Sequence, residues 1–128
     1  MFKANITTPV AATADTDIPF TTVIRTNGNV VSDGTQIRIL KPGFYNVSLT
    51  MSATAGAIGT PEVSLYNNGN IIAETTSERT LVANASTTFV INDILNIVPG
   101  IIDNVRLSVR STAALNIDNA VLTITKIR

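Results

Sequence analysis

A chain of 128 residues, 45% hydrophobic but only 5% aromatic, has room for one core built mainly from Ile, Val, Leu and Ala. Nine basic and nine acidic residues cancel to a formal net charge of zero, which argues against the basic stripe of a nucleic-acid binder. With no His and no Cys, a Ser-His-Asp or Cys-His nucleophile, a His- or thiolate-ligated metal and a disulfide are all excluded.

In chain order, residues 2–8 and 18–25 read as edge strands of an irregular N-terminal arm spanning 1–30, with turns at Asn27-Gly28-Asn29 and Asp33-Gly34. Residues 31–128 read as the core sandwich of the same single domain. Residues 36–40 form a short strand in which Ile37 and Ile39 flank Arg38. Lys41-Pro42-Gly43 then turns the chain, because Pro presets φ and Gly accepts the left-handed region.

Residues 45–53 give the clearest signal. Tyr45, Val47, Leu49, Met51 and Ala53 alternate with Asn46, Ser48, Thr50 and Ser52, a period of two with one apolar face. A small-residue loop covers 54–61, and residues 62–66 place Val63 and Leu65 on one face. Asn67-Asn68-Gly69-Asn70 is a hairpin turn, residues 71–76 are its return strand, and a polar stretch runs over 75–80.

Residues 87–98 are apolar on both faces through Phe89, Val90, Ile91, Ile94, Leu95 and Ile97. Pro99-Gly100 ends that strand, and Val105, Leu107 and Val109 then alternate with Arg106, Ser108 and Arg110, one face in and one face wet. Residues 120–127 are again apolar on both faces through Val121, Leu122, Ile124 and Ile127. In a two-sheet sandwich the partner sheet covers only one face of a strand. The second cover for 87–98 and 120–127 must come from a loop or another subunit, and a trimer contact is expected there at Val90, Ile94, Val121, Thr123 and Ile127. A mean hydropathy of +0.30 points the same way.

These elements resemble, in order and spacing, the tumour-necrosis-factor and complement-globular-head superfamily of jelly rolls, and are most similar to its small phage and bacterial members. The resemblance rests on Ile37-Arg38-Ile39-Leu40, on Lys41-Pro42-Gly43-Phe44-Tyr45 opening a long strand, and on the hairpin Leu65-Tyr66-Asn67-Asn68-Gly69. It continues through a long strand, a turn with Gly100 and Asp103, Val105-Arg106-Leu107 and a hydrophobic C-terminal strand. The turn Pro99-Gly100-Ile101-Ile102-Asp103 is longer than the family's, and aliphatic, Ser and Thr residues replace the aromatics common at its threefold axis. The resemblance implies an all-β, antiparallel two-sheet jelly-roll sandwich that forms a homotrimer.

Other motifs are weak. Asp15 and Asp17 offer oxygens to a hard cation but read better as a solvated loop, and Glu74 and Glu78 beside Arg79 read as a surface ion pair. The glycosylation triplets at Asn5, Asn46 and Asn84 read as chance matches in a chain rich in Asn, Ser and Thr. Tyr45 is expected to point into the sandwich, leaving Tyr66 as the one Tyr available to stack on a sugar.

No catalytic residue, cofactor or metal is expected. The N-terminal stretch lacks the apolar run of a signal peptide, and no window approaches the ~20 apolar residues of a membrane span. The expectation is a non-enzymatic structural protein on the surface of a virion, made in the host cytoplasm. Its partners would be its own copies and the major capsid protein or another virion protein, with no nucleic acid and no membrane. A receptor-binding head of a phage tail or fibre, and a bacterial surface or spore-coat head, are the alternatives. Phe2, Ile6 and Val10 are expected to attach the trimer to its particle.

Overall fold

The computed structural model describes residues 1–20, 22–25, 30–32, 35–56, 58–72, 75–97 and 106–127. The turns expected at Asn27-Gly28-Asn29, Asp33-Gly34 and 99–103 lie outside the described residues, as do Glu74, Val98 and Val105.

Two antiparallel sheets enclose one apolar core. The first contains β1 (Phe2–Ile6), β2 (Val10–Ala12), β3 (Thr22–Arg25), β6 (Gly43–Ala55), β10 (Ser86–Ile97) and β12 (Leu115–Lys126). Its order is β10-β6-β12-β1-β3, with β2 also on β12. The second contains β4 (Val30–Ser32), β5 (Ile37–Ile39), β7 (Glu62–Asn67), β8 (Asn70–Ile71), β9 (Ser77–Glu78) and β11 (Arg106–Ser111). Its order is β4-β5-β11-β7-β8, with β9 also on β7.

Strand β6 organises the first sheet. Its alternation puts Tyr45, Val47, Leu49, Met51 and Ala53 wholly inside. The buried Tyr45 hydroxyl donates to the Lys41 carbonyl oxygen at 2.6 Å, which satisfies it, and burial raises its pKa. β10 pairs with β6 without a break from Ser86↔Thr54 to Ile97↔Gly43. β12 flanks β6 on the other side, with one irregularity at Asp118, whose carboxylate accepts a bond from Thr54 Oγ1 at 3.0 Å.

Four elements depart from the sequence reading. β1 is not an edge strand: it lies between β12 and β3, because Phe2, Ala4 and Ile6 alternate into the core. β12 begins at Leu115, since Leu115 and Ile117 are buried ahead of the irregularity. The hairpin's return strand stops at Ile71: Thr75 Oγ1 donates to the Ile72 carbonyl and accepts from Leu65 N–H, taking over a ladder partner's role. Within the polar stretch, Ser77 and Glu78 instead form β9 against β7.

Ser108 was expected to be wet but is buried. The segment before β3 runs along β11, with Asp15 N–H donating to the Ser111 carbonyl and Ile18 N–H to the Val109 carbonyl, both at 2.8 Å. That places Asp17 over β11, where its carboxylate receives Arg110 Nε at 2.7 Å and Gln36 Nε2 at 3.3 Å.

Candidate functional site

On the outward face of the first sheet, register fixes which side chains are neighbours. One row runs Val90, Thr50, Val121, Asn5 across β10, β6, β12 and β1. The next runs Asn92, Ser48, Thr123, Lys3, and the one beyond it Ile94, Asn46, Thr125. The central strand offers only neutral polar groups here, and aliphatic side chains stand on its flanks.

Val90 is 52% exposed, Ile94 58% and Val121 36%. Thr123 is half-buried among them, and Ile127 lies exposed at the rim, its N–H donating to the Phe44 carbonyl. Asn46, Asn92, Ile94, Thr125 and Ile127 border an open groove of about 570 Å³. Asn5 Oδ1 is buried on this face with no hydrogen-bond partner among the described residues. The five residues expected at a subunit contact are thus brought together on one face or its rim, and Asn5 joins them. The local sequence marks Asn5 only as the start of a glycosylation triplet, and its place on this face depends on β1 being an interior strand.

The three residues expected to attach a particle lie in or against the core along β12. Phe2 and Ile6 are buried in the core, so their side chains are committed to folding. Val10 is half-buried in β2 opposite Ile117.

The second sheet's outer face carries a polar cluster instead. Arg110 reaches Asp17 and also lies over the Tyr66 ring, 5.0 Å from its centre. Burial raises the Asp17 pKa, but the bonds from Arg110 and Gln36 and the Arg110 charge outweigh this and leave it lowered. The Asp17 carboxylate is therefore engaged in an ion pair and not shared with Asp15. Arg110 covers one face of the half-buried Tyr66 ring, the ring expected to be available to a sugar. Arg79 Nη1 donates to the Glu78 carbonyl oxygen rather than to its carboxylate. Between the sheets, Phe20, Ile37, Leu65 and Leu107 line a void of roughly 10 Å³, room for about one water and no substrate. Among the described residues no group of three carboxylates converges on a metal-sized space.

Two antiparallel sheets in these strand orders form a jelly roll of the tumour-necrosis-factor and complement-globular-head type. The similarity to solved structures runs almost end to end. The globular domain of zebrafish complement 1qA superposes with a TM-score of 0.75 at 11% identity, over 99% of this chain and 96% of that one. Eiger TNF from S. frugiperda gives 0.78 at 12% identity over 99% and 93% of the two chains. Murine APRIL at pH 5.0 gives 0.70 at 16% identity over 98% of each. No protein-family profile matches the sequence, and no curated protein matches it.

Proposed function

We propose that this protein is a non-enzymatic homotrimeric building block on the surface of a virus particle, a capsid decoration or auxiliary protein. The observation that carries the reading is the outward face of β10, β6 and β12. Val90, Ile94 and Val121 stand exposed there among neutral Ser, Thr and Asn side chains, and the buried Asn5 Oδ1 has no donor among the described residues. Such a face suits a second copy of the chain: its aliphatic groups gain from burial, and few charges must be desolvated. Trimers closed through this face leave the second sheet and both ends of the sandwich available to the major capsid protein or another virion protein.

Sedimentation at micromolar concentration tests assembly, with an expected mass of three times 13.5 kDa. A monomer would overturn it. Proteomics of purified particles tests the setting, and absence of the chain from intact virions would overturn that part.

A further inference from the structure

We infer that Asn68 is a site of covalent self-modification in the folded protein: attack by the Gly69 backbone nitrogen expels its side-chain amide and leaves aspartate or isoaspartate. Of the asparagines, only Asn27 and Asn68 precede a glycine, and Asn27 lies outside the described residues. A side chain on the following residue crowds the approach of that residue's nitrogen to the carboxamide, and glycine leaves the approach open. Asn68 and Gly69 form the turn between β7 and β8, where Asn67 stands opposite Asn70. Their φ angles are 52° and 81°, the positive pair that a two-residue hairpin turn of this hand requires.

Both reacting groups are available. Asn68 and Gly69 are exposed, and neither the Asn68 carboxamide nor the Gly69 N–H has a hydrogen-bond partner among the described residues. Asn67 differs, because its Oδ1 accepts the Arg106 N–H at 3.3 Å. The turn is lightly held. β8 consists of two exposed residues paired with β7, and the Asn68 N–H donates to the Arg106 carbonyl at 3.0 Å. Opening the turn frees Asn68 to rotate about ψ and moves no core side chain, so it costs far less than global unfolding. The Gly69 nitrogen, deprotonated by solvent base, then bonds to Asn68 Cγ. The Cγ–Nδ2 bond breaks and Nδ2 leaves as ammonia, taking up one proton. Water opens the resulting cyclic imide, and nothing is oxidised or reduced. Opening at Cγ gives aspartate, which tolerates a positive φ. Opening at the Asn68 backbone carbonyl gives isoaspartate, whose main chain is one carbon longer and shifts β8 out of register. Either product adds a negative charge to a chain whose formal net charge is zero.

The test is peptide mass mapping of the whole chain after incubation in heavy-oxygen water, in parallel in native buffer and in urea. Circular dichroism confirms that the native sample stays folded, and Asn27 is read in its own peptide. Residue 68 should take up one heavy oxygen and appear as both aspartate and isoaspartate, the second labelled by an isoaspartyl methyltransferase. The native rate should fall within about tenfold of the rate in urea, the cost of a local opening rather than a global one. It should also rise from mildly acidic to mildly alkaline buffer, since the attacking nitrogen must lose its proton. Asn68→Gln should lose the product, because attack would have to close a larger ring. An Asn68 that reacts in urea but stays intact in the folded chain would overturn the inference, the turn then being a protection. Aspartate without isoaspartate, or a rate indifferent to pH, would overturn it too, since either denotes direct hydrolysis without the Gly69 nitrogen.

Discussion

Val90 and Val121 stand on either side of Thr50 in one row across β10, β6 and β12, both exposed on the same outward face. An oligomer closed through that face buries them together. Val121→Asp would then place an unpaired carboxylate in an apolar contact, which costs several kcal/mol by transfer estimates. The expected outcome is a folded chain whose sedimentation mass falls to 13.5 kDa while its β spectrum is kept. Val90→Asp should act alike. Retention of the oligomer by both variants would move the interface elsewhere.

Phe2 predicts the opposite behaviour from an attachment residue. It is fully buried in β1, opposite Ile124, and β1 is held between β12 and β3. Phe2→Ala should destabilise by about 3–5 kcal/mol through lost burial and a cavity. Deleting residues 2–6 removes an interior strand and should prevent cooperative folding. Chemical denaturation reads both outcomes. A fully stable Phe2→Ala variant would show that the N-terminal strand contributes little to the core.

Legibility in the sequence followed the regularity of the period. Tyr45 to Ala53 keeps a strict alternation because β6 is central, with one face toward the core, and its burial was readable residue by residue. β12 was readable only from Ala120 onward. Leu115 and Ile117 are buried at odd positions, Ala120, Leu122 and Ile124 at even ones, and the irregularity near Asp118 between them breaks the pattern. The existence of β9 and the interior place of β1 were hidden for another reason. Two- to five-residue strands carry too few alternations to announce themselves, and pairing with distant segments decides their place. The outward face was legible through Val90, Ile94 and Val121, whereas Asn5 was not.

The Asp17–Arg110 pair predicts an acid-sensitive contribution to stability. The folded-state pKa of Asp17 is lowered from the ordinary 3.8. The contribution is therefore present in full above that value and is lost as pH falls through the folded pKa. Asp17→Asn should cost about 1.5–3 kcal/mol at neutral pH, in the range of a hydrogen bond to a charged group. The gap between the two proteins should narrow below pH 3.8. Urea midpoints at pH 7 and in strong acid check this, and a gap of equal size at both would show that the ion pair is not its source.

Asp93 predicts a role in keeping β10 from pairing with foreign strands. β10 is twelve residues long and forms one edge of its sheet, the arrangement that invites further strand addition. Register pairs Asp93 with the core residue Val47, yet Asp93 is only half-buried because it lies at the sheet's rim. Its carboxylate accepts the Ile94 N–H at 2.8 Å. A charge on the inward side of an edge strand would be trapped if a foreign strand extended the sheet. Asp93→Val removes that charge and leaves Phe89 to Leu95 apolar apart from Asn92. The variant should keep its β spectrum at room temperature but scatter light earlier on heating and bind an amyloid dye. Heating curves that overlay those of the unmodified protein would show that β10 is protected by something other than this charge.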